Sequence, residues 1–405
     1  MAAAFTQAEL RRAGAAKFSQ SGAMFFSRPG LEQASSEPVA AHRAARFDGF
    51  GRVADLCVGI GGDLCALSAR AGGPRELIAV DWDPAHLWMA EHNAAVAAAA
   101  AGRAGAVETR FVAADVREVD LTGVDAVFID PARRDERSRL GARATSPPLD
   151  WALGPGLAGR VPAVAVKAAP GLDLDLVPAG WEVEFVAEGR ALKEAALFSP
   201  ALATGARRAT VLAAGPEGGA AAGTVATLAG EPDSPEGAGA VDSVGEPARY
   251  LYDPNPAVTR AGLVGPLAAR LEAGQIDPRI AFLTSDSARA TPFARTLEVL
   301  AELPFDVRAL ARRLDELGAT SVDIRRRGLA GDVDALRRRI LPRRRGGAGA
   351  SGSGGHRPVT VVMTRRADRP WAFVCADAFA PSPASPAAAG AGDVPTTAAD
   401  GSGPR

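Results

Sequence analysis

The chain has 405 residues, too many for one ordinary domain and enough for two or three. Its hydrophobic share is 47%, its charged share 23% and its formal net charge -1, which excludes a wholly disordered or collagen-like chain. Basic and acidic residues nearly cancel, 46 against 47, so an anionic partner has to be sought in local clusters.

The first twenty residues carry Glu9, Arg11 and Arg12 and lack the apolar core of an export signal, and no run approaches a membrane span, so a cytoplasmic chain with no membrane contact is expected. From Phe5 to Phe47, small and apolar residues at spacings of three and four predict an N-terminal helical segment over 1–48, broken near Arg28-Pro29-Gly30. Short β-branched runs then alternate with Ala-rich helical stretches, the pattern of repeated βαβ units. Strands are predicted at Val53 to Cys57, Glu76 to Val80, Glu108 to Val112, Ala126 to Ile129, Ala163 to Lys167, Trp181 to Val186 and Ala209 to Ala213. Helices are predicted at Asp63 to Ala71, Pro84 to Ala101 and Trp151 to Leu157. The fold class expected over 49–215 is therefore α/β, with a Rossmann-like, mostly parallel sheet. Residues 216–246 read as a flexible linker in which Thr224 to Leu228 could pair as an edge strand. A small α+β domain follows over 247–378. It offers a helix at Ala257 to Arg270, apolar pieces at Ile280 to Leu283 and Leu297 to Leu303, a helix at Val307 to Leu317, a strand at Ser321 to Arg325, a helix at Asp332 to Ile340, and a hairpin of Val359 to Thr364 with Trp371 to Ala376. The composition of Gly346 to Gly355 and of the tail, 379–405, predicts disorder.

Chemistry concentrates at the ends of the early strands. Val53 to Asp63 is an apolar strand running into a Gly-rich turn and a helix, and Gly59 and Gly61 permit positive φ and close approach of a ligand. Asp81 ends the next strand, placed to hold two ribose hydroxyls, and Asp115 follows the third. A dinucleotide site is the competing reading. However, Cys57 departs from the G-x-G-x-x-G pattern and Asp63 stands where a pyrophosphate would need a neutral or basic surface, so the acidic rim suits a cationic ligand without phosphates. Trp82 either flanks an adenine or packs in the core. After the fourth strand, Asp130 and Pro131 put a carboxylate and a rigid carbonyl at the sheet edge, suited to accepting hydrogen bonds from an amine or a ring N–H. Arg133, Arg134, Arg137, Arg139 and Arg143 follow, offering phosphate contacts or a solvated loop. Lys167 either touches substrate or snorkels from the end of its strand.

Cys57 and Cys375 are poorly placed for a covalent route, and the three cysteines together, with His42, His86, His92 and His356, show neither a disulfide framework nor metal-ligand spacing. Between Ser321 and Arg345 nine arginines stand against Asp323, Asp332 and Asp334. This local basic surplus, carried by Arg325, Arg326, Arg327, Arg337, Arg338, Arg339 and the triplet 343–345, is the footprint expected of RNA binding, or else a solvated face.

The glycine turn, Asp55-Leu56-Cys57-Val58-Gly59-Ile60-Gly61, resembles the first motif of class I S-adenosylmethionine (SAM) dependent methyltransferases. The resemblance implies SAM as cofactor, with Asp55, Gly59, Gly61 and Asp63 along its methionine part, Asp81 on the ribose and Asp115 on the adenine side; Cys57 within the turn and Trp82 next to Asp81 complete the expected cofactor-binding set. Asp130-Pro131-Ala132-Arg133 resembles the D/N-P-P-aromatic motif of methyltransferases acting on base nitrogens, with Ala132 in place of the second proline and Arg133 in place of the aromatic residue. An arginine plane can also stack on a base. Ser321 to Gly328, the lead Tyr250 to Leu263 and Glu37 to Phe47 are similar to a bacterial methyltransferase family with a C-terminal THUMP-like domain. The expected activity is methylation of an RNA base nitrogen by direct transfer, with Asp130, Pro131 and Arg133 at the catalytic centre. The alternatives are a small-molecule or protein methyltransferase, or a non-catalytic RNA-binding protein of the same fold.

Overall fold

The computed structural model describes residues 2–133, 145–213, 225–232, 245–341 and 357–379. Three helices lead the chain, α1 (Ala2–Gly14), α2 (Arg28–Gln33) and α3 (Glu37–Ala44). The expected break at Arg28-Pro29-Gly30 is instead the start of α2. Ser27 caps it, its Oγ accepting from Gly30 N at 3.1 Å, and Pro29 sits in the first turn, where its missing N–H costs nothing. The preceding stretch, expected to be helical, is held in turns and extended backbone by a distant residue. Buried Asn93 accepts from Phe25 N at 2.8 Å and donates to Phe25 O at 2.9 Å.

The first sheet is built from β1 (Arg52–Leu56), β2 (Glu76–Asp81), β3 (Glu108–Ala113) and β4 (Ala126–Ile129), with α4 (Gly62–Ala69) and α5 (Pro84–Ala100) as crossovers. A two-stranded ribbon, β5 (Ala132–Arg133) with β6 (Thr145–Ser146), and α6 (Leu149–Leu153) precede β7 (Ala163–Ala168), β8 (Glu182–Glu188), β9 (Ala191–Phe198), β10 (Arg207–Leu212) and β11 (Val225–Gly230). The nine strands lie in the order β11-β10-β8-β9-β7-β4-β1-β2-β3, parallel except for β9 and the edge strand β11. The edge pairing foreseen near Thr224 to Leu228 therefore forms, inside a stretch expected to be linker.

Alternation along the strands divides the core into two faces. Val53, Ala79, Phe128, Ala165 and Phe198 pack against α3, α4 and α5. Leu56, Val80, Ile129, Val166 and Phe185 pack against α6 and two later helices, α7 (Pro256–Ala261) and α8 (Val264–Leu271). Each fully buried Leu or Phe contributes about 1.5–3 kcal/mol, so the strands are fixed in register by the pleat.

The helix expected over Ala257 to Arg270 is two helices, because Gly262 ends α7 at φ +69, a left-handed cap that glycine tolerates. These helices leave a second sheet, formed by β12 (Tyr250–Pro254), β13 (Gly274–Asp277), β14 (Ile280–Ser285), β15 (Ala294–Pro304), β16 (Ser321–Arg326), β17 (Pro358–Arg366) and β18 (Arg369–Asp377). Its order is β13-β14-β12-β15-β18-β17-β16, with α9 (Val307–Glu316) and α10 (Val333–Ile340) packed on β16 and β17 through Leu310, Leu314, Leu336 and Ile340. The core beneath α7 and α8 is continuous between the two sheets, from Phe185 and Val211 to Tyr252 and Phe293.

Candidate active site at the carboxyl edge of the first sheet

The chain reverses its winding between β1 and β4, which are adjacent and parallel. In open α/β sheets a ligand crevice lies at this switch point, beyond the carboxyl ends of the strands. Asp55 near the end of β1, Asp81 at the end of β2 and Asp130 directly after β4 all stand there, and Asp130 N donates to Leu56 O at 3.2 Å.

The turn after β1 is shaped by three residues at positive φ: Cys57 at 61°, Gly59 at 53° and Gly61 at 83°. Left-handed backbone at a non-glycine such as Cys57 is a strained arrangement that clusters at functional sites. The two glycines do different work. A Cβ on Gly59 would meet no atom within 4 Å, so the space over it is open, whereas one on Gly61 would come within 2.8 Å of Ala90 Cα in α5. Gly61 is thus required by helix packing and Gly59 by the turn. Asp81 fixes this loop by accepting from Gly59 N at 2.8 Å and from Asp83 N at 2.9 Å. Trp82 beside it is 82% exposed, which removes the core-packing alternative. Asp115 accepts from Arg117 N at 3.0 Å and is ion-paired with the Arg117 side chain, whose hydrogen bonds bring its carboxyl down to about 2.

Asp55 is 1% exposed, and its Oδ2 has no hydrogen-bond partner. Burial first, then the neighbouring Asp63 and Asp130, push its carboxyl well above the ordinary carboxylate range. Such an orphaned buried oxygen costs on the order of 1–3 kcal/mol unless something partners it. The Cys57 thiol is also pushed up, by burial and then by Asp81, Asp130 and Asp55, so it is not a thiolate nucleophile.

Asp63 does not face an empty rim. Buried Arg43 of α3 reaches across to it, binds Glu194 of β9 with another nitrogen, donates to Ser35 Oγ at 2.9 Å and lies 4.7 Å over the Phe128 ring. Burial alone would lower this guanidinium, but Asp63 and Glu194 together hold it above its ordinary value. The neighbouring face repeats the device, with Arg46 on Glu182 and Glu184, and His42 Nε2 2.9 Å from Glu184 Oε1. The N-terminal helices therefore form one wall of the site. Asn93 extends the wall by donating to Ile60 O at 2.9 Å, and Gly30 of α2 rests so closely on Ile60 that a Cβ there would approach its Cγ2 to 2.4 Å.

At the mouth, Lys167 Nζ lies 2.6 Å from Asp130 Oδ2 and 3.4 Å from Gln33 O of α2. Burial would lower this ammonium, but Asp130, Glu194 and Asp63 outweigh it and hold it above the usual lysine value. Lys17 caps the same helix, donating to Leu31 O, Glu32 O and Ala34 O at 2.7 to 2.9 Å, and lies close enough to Lys167 and Lys193 that, after burial, their charges lower its pKa. All three lysines of the chain thus gather at this edge, although arginine serves everywhere else. Pro131 is buried, and Arg133 enters the β5–β6 ribbon. Arg134, Arg137, Arg139 and Arg143, like the triplet 343–345 and His356, lie outside the described residues.

The second region splits the predicted basic face by strand alternation. Arg325 and Arg327 point away from the helices, to Asp323 at 3.2 Å and Asp253 at 3.1 Å, while Arg326 bonds Gly331 O. On α10, Arg337 pairs with Asp334 at 2.8 Å, and Arg338 and Arg339 are exposed. A cavity of about 440 Å³ runs along α4 to the end of α5, lined by Phe18, Met24, Cys65 and Ala97, and contains none of the strand-end aspartates. Among the described residues no group of His, Cys, Asp and Glu is placed to hold a metal, and no helix is long and apolar enough to cross a membrane.

Comparison with known proteins bears directly on this arrangement. The THUMP domain-like family model matches residues 294–377, from the start of β15 to the end of β18. An uncharacterised S-adenosylmethionine-dependent methyltransferase of Mycobacterium tuberculosis strain H37Rv, Rv3037c, is 37% identical over 349 residues, covering 84% of this chain and 84% of its own length. Its counterpart in strain CDC 1551, MT3122, matches to the same extent. A crystal structure of a provisionally named methyltransferase from Porphyromonas gingivalis W83 is similar with a TM-score of 0.63 and 20% identity, covering 92% of this chain and 89% of that one, a likeness of fold alone.

Proposed function

The chain belongs to the S-adenosylmethionine-dependent methyltransferases and carries a C-terminal THUMP-like domain, and from that premise we propose that it methylates a nitrogen of an RNA base by direct transfer. SAM is the cofactor, and it supplies an electrophilic methyl group on a sulfonium centre. The residues at the switch point fit such a cationic, phosphate-free ligand. Gly59 leaves open space over the turn, and Asp55 offers a buried oxygen that lacks a partner.

In this reading Asp55, Cys57 and Gly59 line the methionine part, with Gly61 and Asp63 behind them, fixed by Ala90 and Arg43. Asp81, already positioned by two backbone N–H groups, takes the ribose hydroxyls. Exposed Trp82 covers one face of the adenine, and Asp115 flanks its edge.

The observation that carries the acceptor assignment is the Asp130–Lys167 pair, which stands beside the turn with Asp130 partly open to solvent. A carboxylate with one oxygen held by an ammonium keeps its other oxygen as a hydrogen-bond acceptor. Asp130 therefore orients an amine N–H so that the nitrogen lone pair faces the methyl donor, and Pro131 fixes the loop that presents it. Arg133, which follows on β5, is assigned to the substrate at the same catalytic centre. Arg325, Arg326, Arg327, Arg337, Arg338 and Arg339 supply the RNA grip, an assignment supported by their charge and by the THUMP-like domain that carries them.

The test is transfer of tritiated methyl from SAM to total RNA of a strain lacking the gene, beside an Asp130→Ala control. Label that is removed by nuclease and absent with the variant is the expected result. Cofactor binding without label in RNA would move the substrate to metabolites or proteins.

A further inference from the structure

Where the two sheets meet, the turn between β8 and β9 reaches the second region. Asn255 Nδ2 donates to Gly189 O at 2.8 Å, and Arg190 bonds the main-chain O and Oδ2 of Asp253 at 3.2 and 2.6 Å. The other oxygen of Asp253 takes Arg327 at 3.1 Å, and Arg295 lies 3.0 Å from Asp377 and 3.3 Å from Asp323, which also meets Arg325 at 3.2 Å. Four guanidiniums thus share three carboxylates, and each remains between 26% and 40% exposed. Arg190 experiences the imbalance. Its pKa falls below the ordinary value through burial and, against Asp253, through the charges of Arg325, Arg327 and Arg295.

Beside this cluster lies a cavity of about 460 Å³, with Val211, Leu212, Ala226 and Ala294 among its apolar walls and Arg190 and Arg295 as its charged members. An apolar pocket of this size bordered by two guanidiniums that now hold carboxylates suits a nucleotide, its base on the walls and its phosphate taking the place of a carboxylate at the rim. The cleft also lies on the reacting edge. β8 runs parallel to β4, so the turn after it emerges on the same side as Asp130, two to three strand spacings or on the order of 10–14 Å away. Lys167, Lys17 and Lys193 stand on the ground between, partnered by Asp130, by the carbonyls at the end of α2 and by Glu188.

We infer that the cleft between the two sheets is a phosphate site for the RNA strand, in which Arg190 and Arg295 hold a nucleotide a short distance along the strand from the one oriented by Asp130. The inference rests on the RNA reading above and adds a contact from the β8–β9 turn, beyond the arginines after the fourth strand and in the second region to which the sequence pointed. The strand would run along this edge and displace Asp253 or Asp323 as partner of at least one guanidinium.

The experiment is fluorescence anisotropy of the full-length protein with a labelled single-stranded RNA across a salt series, comparing Arg190→Gln, Arg295→Gln and the double variant with the wild type. Calorimetric SAM binding verifies that each variant is folded, and Arg190→Lys, which keeps the charge, should recover part of any loss. The double variant is expected to bind at least tenfold more weakly, with the slope of log affinity against log salt reduced by about 0.7 for each phosphate no longer neutralised. Wild-type binding with unchanged affinity and slope in the folded variants would overturn the cleft assignment and leave the RNA reading standing. No binding of RNA by the wild type would sink both. Arginine-dependent binding of polyglutamate in place of RNA would identify an acidic protein partner and likewise overturn the inference.

Discussion

The carboxyl edge of the first sheet and the basic face of the second region are both rich in charge, but they hold it differently. At the edge, partners come from different elements: Arg43 is buried with Asp63 and Glu194, and Lys167 is half-buried on Asp130, which is partly open to solvent. On α10 the pair is local and exposed, with Arg337 and Asp334 one helical turn apart, and Arg338 and Arg339 face solvent. Buried pairs cannot exchange partners without a large desolvation cost, whereas surface pairs contribute little and exchange readily. The first arrangement suits fixed geometry for chemistry, and the second suits a grip on a polyanion that slides and releases.

The strongest way to break this contrast is Arg43→Ala. It leaves Asp63 and Glu194 buried without their cation, so a stability loss of about 3–5 kcal/mol in urea denaturation is expected. A loss below about 1 kcal/mol would mean that the edge is as loosely held as the basic face. Next in size is the glycine turn. Gly61→Ala drives a Cβ against Ala90 at positive φ and should cost about 1–3 kcal/mol. Gly59→Ala enters open space and should cost only about 1 kcal/mol of stability while weakening SAM binding in calorimetry. Equal effects of the two on both readouts would remove the distinction drawn between them.

Acid titration probes the same buried pairs. Burial would raise Glu184, but His42, Arg46 and Thr210 outweigh it and bring it down to about 2. A carboxyl lowered in the folded state contributes stability that is present above its unfolded value, about 4.3, and is lost as pH falls toward 2. Thermal melts between pH 5 and pH 2 should therefore steepen in the wild type more than in Glu184→Gln. Asp55 has the opposite sign. Its raised carboxyl must ionise to meet a cationic cofactor, so SAM binding should release a proton and tighten as pH rises, which calorimetry in two buffers of different ionisation enthalpy will detect. The smallest stability effect belongs to the basic face: Arg338→Ala with Arg339→Ala should stay within about 0.5 kcal/mol of the wild type.

The strands that carry the site were legible because each is a short apolar run that ends on an acidic residue, as at Asp55, Asp81 and Asp130. Among the strands not predicted, β9 reads Ala-Leu-Lys-Glu-Ala-Ala-Leu-Phe, whose residues favour helix. It is a strand because Glu194, which looks exposed in sequence, is buried against Arg43 across 151 positions. β13 was missed for a plainer reason, being four residues long and opening on glycine. Asn93 and Arg43, which close the site, sit among an Ala-rich helix and an Arg-rich chain and carry no local mark. One signal was available. In a chain whose composition favours arginine so heavily, Lys17 stands where a compact ammonium with three donors meets three carbonyls.

The most direct measurement is single-turnover methyl transfer at saturating SAM, with RNA concentration varied, for Asp130→Asn and for the Arg338→Ala, Arg339→Ala variant. The expected result is that Asp130→Asn slows the maximal rate by about 10²–10⁴ with little change in RNA affinity, while the arginine variant weakens RNA affinity and reaches the wild-type rate at saturation. The reverse pattern, or loss of both quantities together in each variant, would contradict the separation of chemistry at the first sheet from grip on the second.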